Sequence, residues 1–178
     1  MATLKPLRQY DEHDVINMFS YDGAAADKGT LVKISSSGWR STDESHELGG
    51  DVGSAFDNTV SERYANTAKV TAAGTADKPI GMLLMEVKET DENGEKLIFN
   101  PRKAAEMGVI LSGQAVPILS RGIVLYSGAQ LAAQTVSAGA TLYVSGSAGE
   151  LSTYGTNAIG KALGSKDDNN FVLIKLEM

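Results

Sequence analysis

The sequence predicts a mainly all-β fold, a small β-barrel or β-sandwich with an extended N-terminal arm and one short helix near residues 101–107. Three observations predict this class: short apolar runs recur along the chain, clusters of Gly, Ser, Asp and Asn separate them, and one segment carries helix start and stop signals. At 178 residues the chain suits one domain with a sizeable core.

The first residues of the chain are predicted to form the extended arm, residues 1–26, ahead of a β-barrel domain at 27–178. In the arm, charged residues surround one brief apolar run, and the small-residue tract that follows supports no steady helix or strand period. Inside the domain, the polar stretch at about 41–66 is rich in turn formers and is interpreted as a loop insertion.

Strand patterns fill the rest of the chain. They lie at 30–34, 68–72, 80–87, 96–99, 108–111, 117–126, 140–144, 157–163 and 171–177. Asn93-Gly94 predicts a hairpin with a type I′ turn, in which both central residues need positive φ, and Asp168–Asn170 predicts another turn. Asn100 as a cap, Pro101 at the first position and Gly108 at the end predict the short helix.

The chain also resembles itself weakly. A Gly-Thr or Gly-Ala-Thr step opens a strand near residue 30 and again near residue 140, and an Ile-Gly dipeptide opens a later strand at 80 and at 159. This repeat predicts two related β-units that close one barrel together, because neither would bury its apolar face alone.

Composition excludes several classes of protein. There is no cysteine, which removes disulfides, thiolate metal sites and cysteine nucleophiles. The net charge is −6 and the basic residues are scattered, which disfavours a nucleic-acid partner. No apolar run approaches the roughly 18 residues of a membrane span, and the start has no apolar core of a secretory signal.

Neither histidine has the spacing of a catalytic or metal site. His13 lies among the carboxylates of residues 11–14, and His46 lies between Glu44 and Glu47. A zinc or iron site needs ligands on one face of a regular element, as in H-E-x-x-H, so both clusters are interpreted as solvated acidic loops.

Other chemistry-bearing patterns also fail on spacing. The alternation that starts at Asp91 looks like a calcium loop, but the twelfth position of that frame is Arg102 instead of a bidentate Glu. No phosphate-binding glycine loop and no activated-serine motif occurs. Glu86 would be the first residue to inspect in a small barrel enzyme, although an alternating strand favours an outward side chain. The sequence therefore predicts no enzyme, no catalytic residue, no metal and no cofactor.

Three tyrosines are candidates for a carbohydrate-binding site. Tyr126, Tyr143 and Tyr154 could line a carbohydrate platform. The first two alternate with aliphatic residues inside predicted strands, which favours half-buried packing.

The C-terminal part of the chain carries a resemblance to a known family. From residue 122 onward it runs through a G-x-V-L-Y strand, a V-x-A-G-x-x-L-Y-V strand, a glycine turn with a G-x-L strand, an I-G-K-A strand and a closing strand after an Asp/Asn turn. This order is similar to that of the capsid decoration, or cement, proteins of tailed double-stranded DNA bacteriophages. The resemblance covers roughly residues 78–178.

The resemblance implies a structural virion protein, made in the host cytoplasm and located on the outer capsid surface. Such a protein binds the major capsid protein and clamps neighbouring copies of it against internal DNA pressure, commonly as a homotrimer, with no nucleic acid or membrane as partner. Four apolar residues of the arm are the candidate capsid contacts: Val15, Ile16, Met18 and Phe19. Deleting residues 1–20 is then expected to leave a folded domain with weak capsid binding.

Three alternatives stay open. One is a β-rich tail or head-fibre component that recognises a host surface glycan. Another is a small hydrolase or isomerase built on a barrel, and the last is a cellular binding module unrelated to phage.

Overall fold

The computed structural model describes residues 2–7, 10–35, 38 and 68–178. The predicted loop insertion at 41–66, including His46, lies outside the described residues. The described part is mainly β, as the sequence predicts, and contains a closed five-stranded barrel. No helix in this part of the chain is long and apolar enough to cross a membrane.

The strands are short and follow one another closely. They are β1 (Thr3–Pro6), β2 (Val15–Tyr21), β3 (Ala25–Ala26), β4 (Leu31–Ile34), β5 (Lys69–Ala72), β6 (Gly81–Leu83), β7 (Glu86–Lys88), β8 (Val109–Leu111), β9 (Ala115–Leu119), β10 (Arg121–Ser127), β11 (Thr141–Val144), β12 (Leu151–Ser152), β13 (Ala158–Ala162) and β14 (Val172–Glu177). In the same described ranges, the helices are α1 (Pro101–Met107) and α2 (Ala129–Ala132), with single 3-10 turns at Glu12–Asp14 and Leu97–Phe99.

The strands of the described residues form three sheets. The barrel has the order β2-β5-β4-β6-β9 and is closed by parallel pairing of β2 with β5. A six-stranded antiparallel sheet has the order β1-β10-β14-β13-β11-β12, and a small sheet has the order β3-β7-β8.

The barrel and the larger sheet contain the same five-stranded arrangement twice. In the first unit, strands β2, β4, β5, β6 and β9 lie in the spatial order β5-β4-β6-β9-β2. In the second unit, β10, β11, β12, β13 and β14 lie in the order β12-β11-β13-β14-β10, which is the same permutation of chain order. The weak repeat in the sequence therefore corresponds to a repeated topology.

The strand register supports this equivalence. Val32 lies opposite Gly81 in the first unit, and Leu142 lies opposite Gly160 in the second. Both glycines belong to the Ile-Gly dipeptides, and a β-carbon on either would collide with backbone of the next strand. Gly29 and Gly139 have positive φ, 90° and 84°, and each precedes its central strand at the same distance from the paired aliphatic residue.

The two units do not close one barrel together, so that part of the prediction is wrong. Only the first unit closes, through Ser20 and Tyr21 of β2 against β5. In the second unit, β10 pairs with β1 on its outer side. The contact between β10 and β12 is a hydrogen bond to the Tyr126 side chain, whereas the equivalent barrel strands β2 and β5 pair through their backbones.

The N-terminal residues are extended, but the described ones belong to the body and do not form a separate arm. Strand β1 is an edge of the six-stranded sheet, and β2 is a wall of the barrel. Leu4 is 1% exposed and Phe19 is 6% exposed, because both fill the core. In these short strands the core residues Leu4 and Phe19 lie among polar residues. The sequence therefore shows no clear strand period here and predicts an arm.

Both apolar layers meet in the strands of the barrel. On β4, β6 and β9, one residue of each adjacent pair faces the barrel interior and the other packs against the second unit: Val32 and Leu31, Leu83 and Met82, Ile118 and Leu119. All six are 0% exposed. Strands buried on both faces carry continuous apolar runs, and so the sequence shows runs there instead of alternation.

The predicted bounds of the short helix are confirmed, and those of three predicted strands are wrong. Helix α1 begins after the Asn100 cap and ends at Gly108, as predicted. The predicted strands at 80–87 and 117–126 are each two strands, and 96–99 is mostly a 3-10 turn.

The hairpin at Asn93-Gly94 is present, but its turn is not type I′, because only Gly94 has positive φ. The residue before this turn organises it instead, since the Asp91 side chain accepts hydrogen bonds from the backbone N–H of Asn93 and Glu95. Asp167 makes the same two contacts with Asn169 and Phe171 in the second predicted turn.

Candidate contact surface

The four candidate capsid contacts lie on β2, and the structure presents them very differently. Val15 and Ile16 are half-buried in the ladder with β9, and Phe19 fills the barrel core. Met18 is 48% exposed. The four residues therefore do not form one apolar patch, and Met18 is the candidate that reaches the surface.

A β-bulge explains the position of Met18. Ile16 pairs with Ile118 and Phe19 pairs with Val116, so β2 has one more residue than β9 between the same two pairs. Asn17 and Met18 both point to solvent at this place. An extra residue redirects the side chains of the bulged strand, and a sequence read by strict alternation does not show it.

The acidic cluster around His13 is a capped turn. The Asp11 side chain accepts from the backbone N–H of His13 at 2.8 Å, and the Asp14 side chain accepts from that of Asp11 at 3.1 Å. Asp14 also pairs with Arg121 at 3.0 Å, which joins β2 to the start of β10. The carboxylates thus stabilise the chain entry into β2.

The Asp91 cluster is also structural. Its side chain is fully buried, accepts the two turn hydrogen bonds and pairs with Lys103 of α1, which also contacts Glu92 at 3.2 Å. The Lys103 ammonium holds the pKa of Asp91 below its usual value, and Asp91 raises the pKa of Lys103. These contacts attach the hairpin to α1. Within the described residues, no group of three or more His, Cys, Asp or Glu side chains is arranged to hold a metal ion.

Glu86 faces outward, as expected for an alternating strand. Its neighbour Val87 is buried, and the Glu86 carboxylate pairs with Lys88 at 2.9 Å on the same side of β7. It is therefore an ion-pair partner on a sheet face.

The three tyrosines do not form a platform. Tyr126 is 0% exposed, Tyr143 is half-buried on a sheet face, and Tyr154 is 76% exposed in the loop after β12. A sugar-binding platform needs several exposed rings side by side, and here Tyr154 is the exposed member of the set.

One open groove lies between the two loops that lead into the strands with the repeated Ile-Gly dipeptides, β6 and β13. Its volume is about 280 Å³, and it is lined by Lys78, Pro79, Thr156, Asn157, Ala158, Ile159 and Met178. The Asn157 amide donates to the Asp77 backbone carbonyl at 2.7 Å and joins the two loops. Lys33 hydrogen-bonds Asp77 at 2.9 Å and lowers the pKa of that carboxyl.

Sequence reasoning missed a charged surface on the outer face of the six-stranded sheet. Its basic side chains are Lys5, Arg121, Lys161 and Lys175, and we call this surface the basic face. Each alternates along its strand with residues that point into the core. The signal in the sequence was one lysine within each of the apolar segments NAIGKAL and FVLIKLE, Lys161 and Lys175, but the pairing of those two strands could not be read from it.

Comparison with protein-family models, with curated proteins and with solved structures gave no match.

Proposed function

We propose that this chain is a structural virion protein that binds the outer surface of a phage capsid, clamps neighbouring major capsid proteins and stabilises the head against internal DNA pressure. Its partners are the major capsid protein and further copies of itself, as a homotrimer. It is made in the host cytoplasm and performs no chemical step.

One observation carries the proposal. The C-terminal segments that carry most of the family resemblance are strands β10, β11, β12, β13 and β14, and these strands lie in one antiparallel sheet. This part of the resemblance therefore falls on one sheet, whose buried side chains share a core with Leu31, Met82 and Leu119 of the barrel wall.

The shared core of the two units supports a clamping role. Leu31, Met82 and Leu119 of the barrel wall are fully buried against the second unit. A body held in this way presents its surfaces at fixed separations, which reduces the ordering cost of binding. Oligomerisation would repeat each weak contact and raise avidity by a factor on the order of 100.

The structure changes the mechanism that the sequence suggested. Ordering of a flexible arm on the capsid would leave β1 and β2 out of the body, whereas Leu4 and Phe19 lie in its core. We therefore propose contact through preformed surfaces, with Met18 at the β2 bulge as one contact.

The test is to mix the purified protein with expanded capsids that lack it. We expect stoichiometric binding and a higher temperature of capsid rupture. Met18→Asp should weaken the binding, and Phe99→Asp, which alters another exposed apolar residue away from the bulge, is its control. Absence of binding to every capsid form would end the proposal.

A host-glycan receptor in a tail or head fibre is the second candidate, because the Tyr154 ring is 76% exposed beside the groove-lining Thr156. Binding to a glycan array that Tyr154→Ala abolishes, together with no capsid binding, would favour it.

A further inference from the structure

The basic face concentrates positive charge on an acidic chain. Its strand positions hold four of the 16 basic residues and one of the 22 acidic residues, Glu177. The whole chain has a net charge of −6. The strand positions of this face therefore carry a net positive charge, although Asp14, in the turn before β2, pairs with Arg121.

Two lysines on this face lie directly opposite each other. Lys161 of β13 pairs in register with Lys175 of β14, and both side chains are exposed. Like charges directly opposite on antiparallel strands destabilise the sheet. Lys175 is balanced by Glu177 at 3.2 Å, whereas Lys161 has no carboxylate within ion-pair distance among the described residues. The Lys161–Lys175 pair therefore does not stabilise the fold.

Apolar side chains fill the space between the charges. Ile123 of β10 lies opposite Lys175 of β14. Two residues further along β10, Leu125 lies between Lys5 of β1 and Leu173 of β14, so the aliphatic residues form two rows across the strands. The three aliphatic residues are half-buried, so each keeps part of its surface available. Aliphatic area between separated cations matches a protein interface better than a chain of phosphates, which would need cations alone.

We propose that the basic face docks on an acidic protein surface. This inference rests on the proposed function, which makes that surface the exterior of the major capsid protein. Charge complementarity would steer the encounter and set the register, and the aliphatic rows would be desolvated on contact.

Lys161→Glu tests the proposal, because folding and docking should respond in opposite directions. The variant replaces a like-charge pair by an opposite-charge pair with Lys175, so its thermal unfolding midpoint should rise. Its affinity for expanded capsids that lack the protein should fall by roughly tenfold or more, with a weaker dependence on salt. A loss of binding with a raised midpoint cannot come from misfolding.

Lys96→Glu is the matched control. Lys96 is exposed, lies outside the basic face and the groove, and undergoes the same change in charge. It should bind capsids like the unaltered protein.

The other outcomes overturn the inference in distinguishable ways. Equal binding by Lys161→Glu and the unaltered protein removes the basic face and leaves the proposed function standing. An equal loss of binding in both variants shows an effect of net charge. This outcome also removes the basic face and leaves the proposed function standing. Failure of the unaltered protein to bind capsids removes both proposals. Binding to a short DNA duplex that Lys161→Glu abolishes assigns the face to nucleic acid instead.

Discussion

The hydroxyl of Tyr126 accepts a hydrogen bond from the backbone N–H of Leu151 at 3.2 Å, and the contact is buried. Tyr126 belongs to β10 and Leu151 to β12, the two outermost strands of the second unit. Their equivalents in the first unit, β2 and β5, pair through their backbones. A side-chain hydroxyl therefore takes the place of a backbone ladder in the second unit.

Tyr126→Phe should destabilise the protein by about 1–3 kcal/mol, because it leaves the buried N–H of Leu151 without an acceptor. Urea unfolding at pH 7 measures the change. Tyr154→Phe removes an exposed hydroxyl and should stay within about 0.5 kcal/mol of the unaltered protein. Equal values for the two variants would show that the hydroxyl does not stabilise the contact between β10 and β12.

The same tyrosine should make the fold sensitive to alkali. Burial raises the pKa of Tyr126, so the folded state keeps this proton above the pKa of about 10 that the unfolded chain has. Stability should then fall as the pH rises above 10, by up to ~1.4 kcal/mol per pH unit for this group. The free energy of unfolding of Tyr126→Phe should decline less steeply between pH 10 and 11. Parallel curves would contradict this assignment. Burial also raises the pKa of Tyr21, so the remaining slope should flatten further in the variant that also carries Tyr21→Phe.

The first strand should be required for folding. Leu4→Ala leaves a cavity at a side chain that is 1% exposed, and the expected loss is about 2–5 kcal/mol. Leu7→Ala alters a residue that is 41% exposed and should change stability by less than about 1 kcal/mol. For the same reason, a chain without residues 1–20 should give the circular dichroism spectrum of an unfolded protein. A native spectrum would support the interpretation of these residues as a separate arm.

The ion pair between Asp91 and Lys103 should give a pH-dependent contribution to stability. The pKa of Asp91 is lowered, so this contribution is complete above the unfolded value of about 3.9 and is lost as the pH falls through the folded pKa. The pKa of Lys103 is raised, so the contribution is complete below about 10.4 and is lost as the pH rises through the folded pKa.

Asp91→Asn keeps an oxygen for the turn and removes the charge, so it separates these effects. It should be less stable than the unaltered protein at pH 7, and the difference should shrink toward pH 2. Asp167→Asn is the control, because the same turn is formed there with no lysine within ion-pair distance among the described residues. A difference that stays constant with pH would exclude the ion pair as its cause.

Local signals predicted much of the fold. The cap at Asn100 and the end at Gly108 depend on neighbouring residues alone, and helix α1 has those bounds. Val32 and Leu83 lie in runs that are apolar on both faces, and these became strands of the barrel wall. Long-range pairing decided the rest. Leu4 is in the core only because β1 meets the edge of β10, more than a hundred residues away in sequence.

The candidate surface was harder to predict for the same reason. Met18 and Phe19 are neighbours in one apolar run, and a bulge created by pairing with β9 separates them into an exposed and a buried residue. Lys161 and Lys175 were visible as single lysines in two apolar segments, but a face exists only after β13 pairs with β14. Spacing along one strand carries no information about the register between two strands.

The repeated topology should respond in the same way at its two equivalent glycines. A β-carbon at Gly81 would lie 2.6 Å from the backbone oxygen of Leu119, and one at Gly160 would collide with the backbone oxygen of Lys175. Because backbone cannot move aside like a flexible side chain, Gly81→Ala and Gly160→Ala should each cost about 1–3 kcal/mol in urea unfolding. Gly164→Ala is the control, since its β-carbon would meet open space, and it should be neutral or slightly stabilising. If one of the first two variants matched Gly164→Ala, the equivalence of β6 and β13 would be wrong.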